Sequence, residues 1–435
     1  MSSELLEITI ESLSHDGRGI AAIDGKTTFV DGALPEEEVL CQIYKKHRRY
    51  NEAKAVKIMT PSPLRITPEC AHFGICGGCS MQHLEMDAQI KFKQDTLIEQ
   101  LKHFGRVTPQ YILPPITHLS SSYRRKARLG VRYVKKKEKL LIGFREKQSH
   151  YLADIEQCTI LHKSVGENLI ALRNLIAGLS EYEHIPQIEI AVSDETTALV
   201  FRHMRPLPEK DIAALCTFGQ THHFHIYLQP NPPAPVHKIW PADSRDQLSY
   251  FLPDYQLEMY FHPLDFTQVN SEINRLMIQE ALRLLALQPD DHVLDLFCGL
   301  GNFTLPIARF AKHVVGIEGN HAMVEQAQKN AAHHHIVNAE FYSANLMEPA
   351  SIASWLQKKY HKILLDPPRS GAKEMIPFIA NLHANRIVYV SCNPATLARD
   401  AGELVYNHGY QLKTAGLINM FPHTSHIEAI ALFEK

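Results

Sequence analysis

Val293-Leu294-Asp295-Leu296-Phe297-Cys298-Gly299-Leu300-Gly301-Asn302-Phe303-Thr304 reads as a buried strand, a tight glycine turn and the opening of a helix. Gly299 and Gly301 allow the backbone to turn sharply and to approach a ligand with no Cβ in the way. The spacing predicts a strand over 292–297 and a helix over 304–312, then a strand over 313–317 and a helix over 321–333. Further strands are expected over 340–344, 362–365 and 386–390, with helices between them. Strand–helix alternation at this rate implies a parallel, doubly wound α/β sheet. In such sheets ligands gather at the carboxyl ends of the strands. Two more strand ends lie in the same segment, Leu364-Leu365-Asp366-Pro367-Pro368-Arg369 and Val390-Ser391-Cys392-Asn393-Pro394. The last two strands, 412–420 and 426–434, follow one another directly and predict a terminal antiparallel hairpin.

No third glycine stands at the dinucleotide spacing, so this loop does not require a pyrophosphate. Glu318 closes the next strand, about where a carboxylate accepts hydrogen bonds from ribose hydroxyls. Glycine loop, ribose carboxylate and terminal hairpin together resemble a Rossmann-like, class I methyltransferase domain that uses S-adenosylmethionine. Cys392 sits at a strand tip ahead of a helix, a position that favours access and a lowered thiol pKa. A nucleophilic thiol beside such a cofactor suggests methylation of a pyrimidine at C5. That carbon is not nucleophilic unaided; a thiolate adding to C6 makes it enolate-like. A base must then take the C5 proton so that the thiol is eliminated. Glu428 is the candidate base, and Asp366 is expected to orient the pyrimidine edge or the cofactor.

At 435 residues the chain exceeds what one hydrophobic core usually serves. Its 45% hydrophobic and 21% charged composition is that of an ordinary soluble protein. No apolar run is long enough to span a bilayer, so no membrane partner is expected. Residues 1–7 lack the basic and apolar regions of a signal peptide, which places the expectation in the cytoplasm. The net charge of -2 does not announce a nucleic-acid binder. The local charge says more: Lys45-Lys46-His47-Arg48-Arg49, Arg124-Arg125-Lys126-Ala127-Arg128 and Lys135-Lys136-Lys137-Glu138-Lys139 are basic clusters upstream of the catalytic segment. Such clusters are the electrostatic footprint of a polyanion.

Residues 1–60 read as short strands with turns, which suggests a small β-barrel. Thr60-Pro61-Ser62-Pro63 breaks it off, and residues 61–265 are mixed α+β, with a helix expected over 86–103 and an exposed loop over 229–235. Eight cysteines in a cytosolic chain argue against a disulfide framework. Cys70-x5-Cys76-x2-Cys79 supplies three soft ligands, and Cys158 is the best candidate for a fourth. Zinc or a [4Fe-4S] cluster would each suit such a set.

With these residues in view, the chain resembles the 23S ribosomal RNA uracil-5 methyltransferases of the iron–sulfur type, in their RlmD form, over nearly its whole length. The resemblance implies an N-terminal TRAM barrel over 1–60, a central domain over 61–265 holding the cluster and an RNA-binding surface, and a methyltransferase domain over 266–435. It implies that Cys70, Cys76, Cys79 and Cys158 hold [4Fe-4S] rather than zinc. It implies cofactor contacts at Gln268 (within Phe266-Thr267-Gln268-Val269-Asn270), Phe297, Asn302, Glu318, Asn345 and Asp366, with Cys392 as nucleophile and Glu428 as base. The tRNA-modifying relatives are expected to lack both the barrel and the cysteines, which argues for 23S ribosomal RNA as partner. A monomer is expected. The competing expectations are a tRNA uracil-5 methyltransferase and a non-catalytic ribosome assembly factor with a retained cofactor fold.

Overall fold

A computed structural model describes residues 5–118, 121–231, 235–348, 354–382 and 384–435. Residues 1–4 of the expected cytoplasmic N-terminus and 232–234 of the expected loop lie outside the described residues. Among them the chain forms three sheets and a two-stranded hairpin, Leu248–Leu252 with Leu257–Phe261.

The first sheet has six strands, in the order Leu5–Thr9, Glu38–Lys46, Tyr50–Thr60, Lys26–Asp31, Gly19–Ile23, Ser12–Leu13. It curls around a small core of Ile10, Ala21, Val30, Val39, Cys41 and Ala53. The second sheet also has six strands, in the order His237–Trp240, Phe224–Gln229, Thr197–Arg202, Gln187–Val192, Lys126–Val134, Lys139–Gly143. Helices Leu169–Gly178 and Glu209–His222 contribute to its core through Leu172, Ile176 and Leu215.

The third sheet decides the architecture. Its eight strands run Ala339–Ser343, His313–Glu318, His292–Leu296, Lys362–Leu365, Arg386–Ser391, Glu428–Glu434, Gln411–Ile418, Tyr111–Ile112. The first five pair parallel, and Glu428–Glu434 enters antiparallel between Arg386–Ser391 and Gln411–Ile418. Near-continuous apolar strands such as Ile363-Leu364-Leu365 and Ile387-Val388-Tyr389-Val390 are buried on both faces, which is what a helix-covered parallel sheet demands. The expected helix over 304–312 is Thr304–Ala308; beyond it the coil tightens, with Arg309 N donating to Pro306 O and Phe310 N to Ile307 O.

Packing does not follow chain order. The helix Met86–His103 lies against Pro394–Tyr406, and its Leu97 and Leu101 belong to the core of the third sheet. The two approach closely after Met86–His103 ends: a Cβ on Gly105 would lie 2.4 Å from Ala398 O, so a larger residue there would push them apart. Tyr111–Ile112 then adds the last strand beside Gln411–Ile418.

Candidate active site

The glycine turn follows the strand His292–Leu296. Phe297, Gly299 and Gly301 all take positive φ, at 66°, 55° and 89°. Glu318, at the end of the neighbouring strand His313–Glu318, reaches into this turn: its carboxylate accepts from Gly299 N at 3.2 Å and from Asn320 N at 2.9 Å. Asn345 follows the next strand and lies beside Glu318, because Ala344 N donates to Glu318 O at 3.0 Å. Asn302 is clasped by Asn274 through two amide bonds of 2.9 and 3.1 Å, and accepts from the Tyr250 hydroxyl at 2.9 Å. Asn274 sits on the helix Ser271–Leu285, capped by Asn270, so the Gln268 segment is brought to the same turn. Beneath it Asp295 is fully buried, one oxygen bonded by the Thr304 hydroxyl at 2.5 Å and the other without a partner. Burial pushes its carboxyl up to about 8, with Thr304 opposing.

The thiol and two carboxylates gather at the next strand ends. Ser391 pairs with Ala429 across the antiparallel strands, so Cys392 and Glu428 are the next facing pair in register. Asn393 caps the helix Pro394–Tyr406 through Ala395 N and donates to Arg369 O at 3.0 Å, which holds the Asp366–Arg369 turn against the Cys392 tip. Glu428 is buried; loss of solvation pushes its carboxyl up to about 8, with Asp366 adding to the rise and Arg369 opposing it. Burial pushes Asp366 up to about 7. Burial likewise pushes the Cys392 thiol up to about 11, with Glu428 and Asp366 adding and Arg369 opposing. The expectation of a lowered thiol pKa is therefore reversed: two acids face the sulfur, and the helix N-terminus does not outweigh them. Arg369 is the charged neighbour of both groups, to which the sequence reading gave no role at the site. Its place directly after Asp366-Pro367-Pro368 was the available signal.

Cys70, Cys76, Cys79 and Cys158 line one cavity of about 220 Å³. Amide and side-chain donors serve the sulfurs: Gly78 N points at Cys76 Sγ at 3.4 Å, Ile160 and Leu161 N–H groups serve Cys158, and the Gln82 amide serves Cys79. Burial pushes Cys76 up to about 11 and Cys79 to about 12, with the neighbouring thiols adding. No three His, Cys, Asp or Glu side chains among the described residues converge on a single-ion site.

The basic clusters divide. Lys45, Lys46, Arg48 and Arg49 are exposed, as are Lys135, Lys136 and Lys137. The middle cluster is partly paired: Arg125 meets Asp194 and the exposed Arg128 meets Glu189, each at 2.5 Å, and Lys126 donates to Pro263 O. These pairings neutralise part of its charge, while the Arg128 side chain stays at the surface.

Comparison with known proteins fits this geometry. The family model described as tRNA (Uracil-5-)-methyltransferase matches residues 86–435, and a TRAM domain model matches residues 3–56. A protein of Alcanivorax borkumensis named 23S rRNA (uracil(1939)-C(5))-methyltransferase RlmD is 51% identical, over 98% of this chain and 96% of its own. Its namesake in Hahella chejuensis is 50% identical over 100% and 98%. The solved Pyrococcus abyssi tRNA (uracil-54, C5)-methyltransferase, in complex with S-adenosyl-L-homocysteine, superposes with a TM-score of 0.75 at 23% identity, covering 98% of this chain and all of its own. That match extends over the barrel, so an N-terminal barrel does not separate ribosomal from transfer RNA enzymes, and the expectation that tRNA-modifying relatives lack it is corrected. With half of all positions identical from end to end and the family model spanning the whole third sheet, the chain belongs to the uracil-5 methyltransferase family.

Proposed function

We propose that this enzyme methylates C5 of a uridine in 23S ribosomal RNA, using S-adenosylmethionine, at the base equivalent to the one its named relatives modify. The observation that carries the mechanism is the facing of Cys392 and Glu428 across paired strands, one strand removed from the glycine turn. The ribosomal substrate rests on the relatives at 51 and 50% identity, both named for 23S rRNA.

The turn from Phe297 to Asn302, with Glu318, Asn345, Asp366 and Gln268 around it, would bind the cofactor, which supplies the methyl group. Glu318, fixed by Gly299 and Asn320, is oriented for ribose hydroxyls. Cys392 passes its thiol proton to solvent and adds through sulfur to C6 of the uracil, and the C5–C6 electron pair moves into the C5–C4–O4 enolate. C5 would then take the methyl group that the cofactor supplies, its bond to the sulfonium sulfur breaking and a neutral thioether leaving. Glu428 takes the C5 proton, the C5–C6 double bond re-forms and the thiolate leaves. Loss of solvation makes Glu428 a stronger base than a free carboxylate, which suits a proton bound to carbon. The target base must leave its stack to meet both groups in one pocket.

The four thiols fit a [4Fe-4S] cluster: they share one cavity, and hydrogen-bond donors serve three of them. Bound there, a cluster would tie the 70–79 segment to Cys158. Functionally, residues 1–60 and the exposed lysines would hold RNA, 61–265 would carry the cluster, and 266–435 would perform the transfer, with Met86–His103 and Tyr111–Ile112 as outposts of that last domain. We read the protein as a cytoplasmic monomer; no helix among the described residues is long and apolar enough to cross a membrane.

RNA with 5-fluorouridine at the target tests the mechanism, because fluorine cannot leave as a proton. A stable covalent complex through Cys392 is expected, and none with Cys392→Ala. An adduct at Cys298, which is buried in the core, would overturn the assignment. Loss of a 5-methyluridine from tRNA but not from 23S rRNA in cells lacking the protein would overturn the substrate.

A further inference from the structure

Lys93 is fully buried on the helix Met86–His103, yet among the described residues no carboxylate pairs with it. Its ammonium donates to Asn419 Oδ1 and to Phe421 O, both at 2.9 Å. Burial lowers its pKa to about 7, the sign of a cation held at a cost. Packing alone would be served better by an apolar chain of the same length, such as methionine. The two acceptors belong to one stretch, residues 419–427, which joins Gln411–Ile418 to Glu428–Glu434 and ends at Glu428.

That stretch is tied down along its length. Gln89, one helical turn before Lys93, accepts from His423 N at 3.0 Å. The Tyr123 hydroxyl donates to Pro422 O at 3.1 Å. Ser80 N and Met81 N, directly after Cys79, both donate to His423 O at 3.0 Å, and Ser425 N donates to Ser80 Oγ at 3.0 Å. Thr424 and His426 also form part of the wall of the cysteine cavity. One strap therefore has the cysteine segment on one side, Lys93 on another, and Glu428 at its end.

We propose that Lys93 is a positioning residue for proton removal: by holding Asn419 and Phe421 it fixes the strap that aims Glu428 at the C5 proton. This rests on the reading of Glu428 as the base. Attack by Cys392 comes from a different strand, so it does not depend on the strap. Loss of Lys93 should separate the two halves of the reaction, and a role in stability alone would slow both together.

The test is a single-turnover experiment on the full chain with a 23S rRNA fragment and methyl-labelled S-adenosylmethionine, quenched onto a denaturing gel. Lys93→Met should form the methylated covalent complex at close to the wild-type rate, then release product more slowly by about tenfold to a hundredfold, the scale of a misplaced catalytic group. The labelled complex should accumulate, less so in Lys93→Gln, which keeps a donor. Should Lys93→Met fail to fold, Asn419→Leu removes one tie from the opposite side and should show the same accumulation. Glu428→Gln runs alongside. If it accumulates the complex and the Lys93 and Asn419 variants slow both steps alike, or neither, the positioning role is wrong while the base stands. If Glu428→Gln itself accumulates none, both readings fall.

Discussion

Glu428→Gln should make the folded protein more stable, and the gain should depend on pH in a defined way. Glutamine has the shape of a protonated glutamate and carries no charge to bury. In the wild type the folded carboxyl titrates near 8, against an ordinary value of 4.5. A carboxyl with a raised folded pKa contributes its stability fully below the unfolded value and loses it as pH rises to the folded one. Between about pH 4.5 and 8 the unfolded chain ionises Glu428 while the folded chain keeps it protonated, so each pH unit costs the wild type about 1.4 kcal/mol that the glutamine variant does not lose. Near pH 7 the variant should therefore be more stable by about 3 kcal/mol, and above about pH 8 by about 5 kcal/mol, with no difference below about pH 4.5. Urea unfolding at a series of pH values, read through Trp355 in the core of the third sheet, measures the difference. A gap that stays flat from about pH 5 to 8, or a less stable glutamine variant near neutrality, would refute the buried-acid argument. The same substitution should abolish turnover, so stability and activity move in opposite directions.

Two further outcomes follow from other parts of the molecule. Anaerobically purified protein should be brown, with about four irons per chain as a Cys₄ cluster requires; Cys76→Ser should lose the colour and melt lower, and stoichiometric zinc without iron would refute the cluster. Replacing the exposed Lys45, Lys46, Arg48 and Arg49 by glutamine should reduce the salt slope of RNA binding by up to about 3, at roughly 0.7 per lost phosphate contact on a single strand, measured by filter binding across a salt series. An unchanged slope would make that cluster a solvated face.

The parallel sheet was legible because its strands are buried on both sides and so carry unbroken apolar runs, and because the glycine turn needs φ values that glycine supplies. The helices Met86–His103 and His321–His333 fall where the 3.6-residue pattern puts them. Tyr111–Ile112 was not legible: two exposed residues have no periodicity, and only tertiary contact makes them a strand. Lys93 reads in the sequence as one more charge in Lys91-Phe92-Lys93-Gln94, and nothing local says that this one points inward. The pairing of the middle basic cluster was not legible either, since the acids that meet Arg125 and Arg128, Asp194 and Glu189, lie more than sixty residues away. Site residues named by chemistry were found where strand ends meet. The direction of the Cys392 shift was missed because it is set first by burial, which only the packed fold creates, and then by Glu428 and Asp366, which come from other strands.

That reversed shift bears on how the reaction starts. At neutral pH the free site holds Glu428 largely protonated, Asp366 near its midpoint and Cys392 as a thiol. A thiol in that state is a poor nucleophile and a poor target for oxidants, which would protect the proposed nucleophile while the enzyme is idle. Arg369 is the group that opposes the rise at both Cys392 and Glu428. In the proposed mechanism attack therefore waits until the uracil occupies the pocket, where the sulfur can give up its proton as charge passes into the C5–C4–O4 enolate instead of remaining on sulfur. Glu428 must be ionised when the C5 proton is taken, so the elimination limb should rise with pH towards about 8 and level off above it. Adduct formation, governed by the thiol, should keep rising beyond that point. Two limbs of different midpoint in one single-turnover series are what a substrate-gated thiol and a separate buried base require; a single shared midpoint would mean that one group serves both steps.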